Sequence, residues 1–303
     1  MTEEVMQNGN AIKRQIKIDP KELIMKIVFI IAAVVFIAAV VTICVFIFAQ
    51  AFPAIQEIGL FKFLFSPVWD PDTANPENGE YGIAVFIVGT CYITAGALVI
   101  GVPIGFLTAL FMARYCPKPL YKVMKPVTNI LAGIPSIVYG YFGLIVIVPI
   151  VRDWFGGTGF SILTASFILG IMILPTIISV SENALRAVPK SYYEGAVALG
   201  ATKERAILRT EVPAAKSGII TSIILGLGRV LGETMAVVMI CGNRTIFPDS
   251  ITDGVRTMTA NIVLELGYAT GLHRGALIAT AAVLFVFILI ITLLIAVIRK
   301  KAK

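Results

Sequence analysis

Charge is scarce in this chain: 14% of its 303 residues are Asp, Glu, Lys or Arg, against 58% hydrophobic. Several uncharged runs exceed the roughly 18 residues that read as membrane-spanning, so most of the apolar surface must meet lipid or neighbouring helices rather than one soluble core. Histidine occurs once, as His273, in a stretch between spans where a solvated side chain is expected. Cysteine occurs four times. Cys44, Cys91, Cys116 and Cys241 lack metal-like spacing and three fall in apolar runs, so free thiols are expected rather than disulfides or a zinc site. No G-x-x-x-x-G-K-[ST] stretch is present, so any ATP must be bound by another chain. No period of 20 to 50 residues and no inverted repeat of spans is visible.

What is present is six apolar runs, at about 23–49, 82–112, 128–151, 160–181, 218–241 and 275–298. Each is long enough for a helix to cross roughly 30 Å of hydrocarbon at about 1.5 Å per residue. Basic residues precede the first, and Ala49-Gln50-Ala51 resembles a cleavage site. Its length of about 27 residues exceeds the 7 to 15 of a signal-peptide core, so an uncleaved anchor is expected.

Lys and Arg distribution sets the orientation. With the N-terminus in the cytoplasm, nineteen of the 25 basic residues lie in inside segments and five, Lys62, Arg152, Arg244, Arg256 and Arg274, lie outside. Arg229 alone is left within a span. The net charge of +7 is therefore a topology signal, not the footprint of a nucleic-acid partner. The expected fold is all-α and integral to the membrane, with six transmembrane helices, both termini cytoplasmic, a polar tail at 1–22 and one membrane domain at 23–303.

Gly101-Val102-Pro103-Ile104-Gly105, Gly133-Ile134-Pro135-Ser136 and Pro175 are placed to break or bend spans two, three and four. Small residues also let helices approach closely, so either plain packing or a pathway between bent helices is open. The polar groups favour a pathway. In GLGRVLGETMAV, 226–237, Arg229 lies about 16 Å into its span, near the midplane, where an arginine costs about 2.5 to 3.5 kcal/mol. Glu233 at i+4 falls on the same helical face and is expected to pair with it. A structural ion pair alone would be no better for stability than apolar residues, so a function is expected. A permanently charged guanidinium suits an oxyanion, whereas a proton relay would use titratable groups. Glu233 could hold Arg229, repel competing anions or accept a proton.

Between spans four and five, at about 185–216, runs a basic stretch with helix punctuation. Ser191 with Glu194 forms a capping-box pattern after Pro189, Gly200 is placed to stop that helix, and Thr202 opens a second one ending near Pro213. An amphipathic hairpin at the membrane surface would read the same way.

Glu194-Gly195-Ala196, then Gly200, then Pro213 are spaced as in the EAA loop of ABC importer permeases, with Gly195 for an alanine and Thr210 and Val212 where Ile and Leu are usual. Together with AGIPSIVYGYFG at 132–143, GLGRVLGETMAV, and PVWDP at 67–71, the chain resembles the PstC-like permease subunits of phosphate-specific ABC importers. The resemblance implies a type I ABC importer architecture and a permease, not an enzyme, that passes inorganic phosphate by Arg229 and Glu233. It implies that Glu194, Gly195, Ala196, Gly200 and Pro213 shape the dock for the ATPase. The implied partners are a second, PstA-like permease, two PstB-like ATPase subunits holding ATP and Mg, an extracytoplasmic PstS-like phosphate-binding protein and membrane lipid. Residues 50–81 and 242–274 are the docking candidates for the binding protein, the first carrying the acids Glu57, Asp70, Asp72, Glu77 and Glu80 against Lys62. Sulfate, molybdate or phosphonate as cargo, a secondary carrier working alone, and a non-transporting membrane scaffold are the alternatives.

Overall fold

The computed structural model describes residues 20–71, 75 and 78–301. The expected tail up to residue 19, the acids Asp72 and Glu77 and the terminal Lys303 lie outside the described residues. Contacts divide the chain into a first unit up to Ala49 and a second from Gln50.

Helix α1, Pro20–Ile58, outruns the apolar run that announced it. In the first unit it is bare on almost every side, with Phe29, Phe36 and Phe46 each about 60 to 70% exposed, as a span bathed in lipid requires. Its last turns belong to the second unit and end at Gly59, whose φ of 87° is left-handed and open to glycine at low cost.

In the second unit a short helix, α2 (Leu60–Phe65), leads to a two-stranded antiparallel ribbon of β1 (Trp69–Asp70) and β2 (Glu80–Tyr81). Helix α3 (Ala84–Leu110) continues as a π turn, Phe111–Tyr115. Helix α4 (Lys118–Gly133) is followed by α5 (Ser136–Phe142), a π turn at Gly143–Ile147, and α6 (Val148–Phe155). Helix α7 (Ile162–Arg186) is capped at Ser161, whose hydroxyl accepts from the Thr164 amide at 3.1 Å.

The hairpin beyond it holds α8 (Lys190–Ala198), α9 (Lys203–Ala206), a π turn (Ile207–Glu211) and α10 (Val212–Ala214). Then come α11 (Lys216–Leu231), α12 (Met235–Ile240), α13 (Met258–Glu265) and α14 (Gly271–Lys301).

The core forms where α3 lies on α7. Ile168, Leu169, Met172, Ile173 and Ile177 of α7 have no exposed surface. A Cβ at Gly101 would sit 2.7 Å from the Ile173 side chain, and one at Gly105 would sit 2.8 Å from Ile177. The glycines of α3 thus let two backbones meet, the usual basis of helix packing where lipid removes the hydrophobic drive. Both helices run on through Pro103 and Pro175, so packing is the reading that holds there.

The break expected at Gly133-Ile134-Pro135 is real: α4 ends at Gly133 and α5 starts at Ser136. Pro135 cannot donate to a helix, and it pushes Ile134 out of the helical region, to ψ 126°. The third span accordingly starts at 136, not at 128.

Among the described residues five helices are long and apolar enough to cross a bilayer, at 21–58, 84–115, 136–155, 162–186 and 271–297. The fifth expected span, 218–241, is not one helix. It is α11, bent 67° from the segment Lys203–Ala214 before it, and α12 after a break.

Candidate functional site: the break between α11 and α12

Helix α11 stops in a glycine-rich turn. The Gly232 amide still reaches Gly228 O at 3.2 Å and the Glu233 amide Val230 O at 3.1 Å, after which the chain leaves the helix through Thr234 at φ −123°. The Thr259 hydroxyl at the start of α13 donates to Glu233 O at 2.9 Å, so a freed carbonyl of the break is satisfied by protein. Glu233 Oε1 accepts the Ala236 amide at 3.1 Å, a carboxylate at the amide end of α12, where the helix dipole favours it.

Pairing of Glu233 with Arg229 is therefore not what the structure shows. The i, i+4 relation needs an unbroken helix, and the helix ends between them. Among the described residues Arg229 has neither an ion pair nor a hydrogen bond. It is half-buried in the last turn of α11, where the carbonyl end of a helix favours a cation by about 0.3 to 1 kcal/mol. Leu225 and Gly232, four residues before and three after on the same face, are exposed, as is the adjacent Gly228, so this stripe is left uncovered by its own chain.

The AGIPSIVYGYFG stretch packs directly beside this break. A Cβ at Gly140 would fall 2.8 Å from Ala236 Cα, and one at Gly143 would fall 3.0 Å from Ile168 and 3.1 Å from Ile240. The buried Tyr139 hydroxyl donates to Leu131 O at 2.9 Å, tying α5 back to α4, and Arg229 lies within electrostatic reach of that tyrosine. Two stretches nearly a hundred residues apart in sequence thus share one place. Cavities also open elsewhere. One of about 510 Å³ between α3, α7 and α11 is apolar except for Lys216 and Ser222. At the break stands a permanent cation at a helix end, flanked by glycines and without an ion pair or hydrogen bond among the described residues.

In the hairpin at 187–216, Gly200 ends α8 as expected. At φ 83° its amide reaches Val197 O at 2.9 Å and the next amide, Ala201, reaches Ala196 O at 3.1 Å, the paired bonds of a Schellman cap. The Thr202 side chain accepts from the Arg205 amide at 3.4 Å and opens α9. The capping box at Ser191 and Glu194 does not form; the cap lies two residues earlier, at Pro189, with no side-chain bond there. Glu194, Gly195 and Pro213 are exposed, and Ala196 is half-buried. The hairpin presents apolar side chains to the outside, Leu199 at 91% exposure above all, with Tyr192, Val197 and Leu208.

Three buried carboxylates, Glu265, Glu182 and Glu211, escaped the sequence reading. Glu265 accepts from Trp69 Nε1 at 2.9 Å and from Arg256, and bonds His273 Nε2 at 2.9 Å. Arg256 also donates to Asn243 O at 3.2 Å and Asn261 Oδ1 at 3.0 Å. His273 is consequently not solvated: it is 2% exposed, stacked on Tyr81 and edge-on to Trp69 and Tyr268. Burial and the nearby Glu265 charge push the Tyr268 hydroxyl above the ordinary phenol range. Glu182, near the end of α7, is the second, with no exposed surface and three donors. A carboxylate inside a run such as NIVLEL was the available signal for Glu265.

The comparisons with known proteins agree with this architecture. Residues 101–303 match the family of binding-protein-dependent transport system inner membrane components. The probable ABC transporter permease YqgH of Bacillus subtilis is 38% identical over 86% of either chain. The phosphate transport system permease PstC of Mesorhizobium japonicum is 33% identical, over 86% of this chain and 84% of its own, and that of Haemophilus influenzae 34%, over 88% and 87%. Among solved structures, a chain of the inward-facing MetNI methionine ABC transporter matches with a TM-score of 0.57 at 19% identity, over 72% of this chain and 96% of its own. A chain of a bacterial alginate ABC transporter, in complex with its alginate-bound periplasmic protein, matches with 0.57 at 18%, over 95% of each. The chain belongs to the binding-protein-dependent transport system inner membrane components, the permease subunits of ABC transporters.

Proposed function

We propose that this chain is the permease subunit of an ATP-driven importer of inorganic phosphate, and that Arg229 contacts the anion as it crosses. The observation that carries the reading is a midspan arginine without a partner among the described residues, at a helix break, in a permease whose relatives include phosphate permeases. Phosphate crosses as a singly or doubly charged anion and needs compensating charge where the dielectric is low. At an effective dielectric of about 20, opposite unit charges 4 Å apart attract by about 4 kcal/mol. The guanidinium fork adds paired hydrogen bonds to phosphate oxygens. Release must remain fast, and Glu233, a negative charge four residues on, weakens the hold.

The uncovered stripe of Arg229, Leu225, Gly228 and Gly232 fits a second, PstA-like permease completing the path. The apolar tip of the 187–216 hairpin fits a cleft on a cytoplasmic ATPase, with two PstB-like copies binding ATP and Mg and Glu194, Gly195, Ala196, Gly200 and Pro213 shaping the dock. The 50–81 and 242–274 segments then face an extracytoplasmic PstS-like phosphate-binding protein, and both termini are cytoplasmic.

Uptake of labelled phosphate, in cells whose only high-affinity phosphate permease contains this chain, tests the reading. Uptake that excess unlabelled phosphate suppresses and sulfate or molybdate does not is expected; no phosphate uptake by an assembled complex would contradict it. Gly200→Val puts a β-branched residue at φ 83°, a strain of about 1 to 3 kcal/mol, and is expected to reduce co-purification of the ATPase and uptake together. Unchanged association would remove Gly200 from the dock. A thiol-reactive label that cannot cross the membrane is expected to miss a cysteine tag at the C-terminus of intact cells; labelling from outside would invert the topology.

A further inference from the structure

We infer that Glu182 is a positioning residue: it locks α4 to the base of the 187–216 hairpin, so that movement of the hairpin is carried to the Gly133-Ile134-Pro135 break and the path beside it. The inference rests on the function proposed above, because only a permease driven through that hairpin needs such a joint.

Glu182 is fully buried near the end of α7 and is held from three sides. Tyr121 Oη donates to Oε1 at 2.7 Å and Lys125 Nζ to Oε2 at 2.8 Å, both from α4, while Arg186 Nε of its own helix donates to Oε1 at 2.8 Å. The Tyr121 hydroxyl is pushed above the ordinary phenol range, first by donating to Glu182. Arg186 also lies 4.6 Å over the Tyr121 ring and donates to Met112 O at 3.0 Å, in the π turn after α3.

A second buried pair continues the lattice toward the hairpin. Arg114 Nε is 2.8 Å from Glu211 Oε2 in the π turn after α9, off-line for a hydrogen bond, and Arg114 donates to Leu185 O at 2.6 Å. Beneath both lie Leu110, Leu185, Val188, Ile207 and Ala215, with Tyr193 of α8 packed against them. The hairpin is thus fastened to the ends of α3 and α7 by apolar packing, and α4 is fastened to the same place chiefly through one carboxylate.

From α4 the contacts run on to the break. Tyr139 Oη holds Leu131 O near the end of α4, and Gly140 lies against Ala236 in the helix that Glu233 caps. A buried carboxylate between two cations is no more stabilising than a well-packed apolar patch, so its use is in fixing relative positions. The three donors on a rigid acceptor do that for α4, whose exposed Leu120, Val123, Val127 and Ile130 leave it little packing of its own.

The test uses the complete importer in proteoliposomes, with the second permease, the ATPase and the binding protein, and reads phosphate moved per ATP hydrolysed. Glu182→Gln is expected to lower that ratio at least about fivefold, the low end of usual coupling between sites, without changing the phosphate KM. Glu182→Asp should recover part of it. Tyr121→Phe, which leaves both cations in place, should lower the ratio by a smaller factor, and it decides the matter if Glu182→Gln fails to assemble. A wild-type ratio in the assembled variants overturns the inference. Wild-type complex that moves no phosphate defeats the proposed function instead, and the joint is then judged by the same ratio for the anion that is moved.

Discussion

Arg229→Gln is expected to cut phosphate uptake by about tenfold to a hundredfold at unchanged assembly, the factor that follows from losing a hydrogen-bonded charge worth about 1.5 to 3 kcal/mol. Assembly should survive because Arg229 makes no hydrogen bond or ion pair with any described residue, so nothing in the chain loses a partner. Arg229→Lys keeps the charge and loses the planar fork, and should fall between the two. Glu233→Gln separates charge from structure at the same break, since its amide oxygen can still accept the Ala236 amide. If Arg229 acts on the anion through its charge, the Glu233→Gln importer should hold phosphate more tightly and release it more slowly. The measurement is initial-rate uptake against phosphate concentration at matched membrane levels. Wild-type rates for Arg229→Gln would leave the arginine a structural role.

The largest loss of stability is expected from Glu265→Ala. The carboxylate is 7% exposed and joins three parts of the chain: the ribbon through Trp69, the 242–261 segment through Arg256, and α14 through His273. Removing it strands Arg256, itself 16% exposed, among Phe86 and the buried Asn261. Deleting one partner of a buried ion pair costs about 3 to 5 kcal/mol because the other charge stays behind uncompensated. Thermal unfolding of the purified complex, followed by ring fluorescence near Trp69, should show an earlier transition. The paired change Glu265→Gln with Arg256→Met should recover much of the loss. An unshifted midpoint for Glu265→Ala would mean that the cluster is not a structural staple.

The spans were legible because a hydrocarbon layer imposes one simple demand, an uncharged run of sufficient length, and the runs at 82–112, 160–181 and 275–298 met it nearly to their ends. The hairpin was legible because its punctuation is local: Gly200 stops α8 through its own φ, and Thr202 opens α9 through its own hydroxyl. The break at Arg229 was half legible. The arginine stood out by its depth, but i, i+4 spacing spoke for a pair only while the helix was assumed to continue, and Gly228 and Gly232 flank a point where it stops.

Glu182, Glu265 and His273 were misread or missed for a different reason. Apart from Arg186, four residues beyond Glu182 on the same helix, their partners are groups 8 to 196 residues away or rings brought in by the fold, and periodicity carries no information about those. Near the ends of spans, where loops and helices fold over one another, a polar residue in the sequence says nothing about whether it faces water.

The central claim is ATP-driven movement of phosphate through this chain. Its most direct test is accumulation of labelled phosphate by proteoliposomes carrying the complete complex, with and without ATP, and with the ATPase omitted. The account predicts accumulation that requires ATP, the ATPase and the phosphate-loaded binding protein together. Phosphate entry that persists without the ATPase would make the chain a carrier in its own right and contradict it.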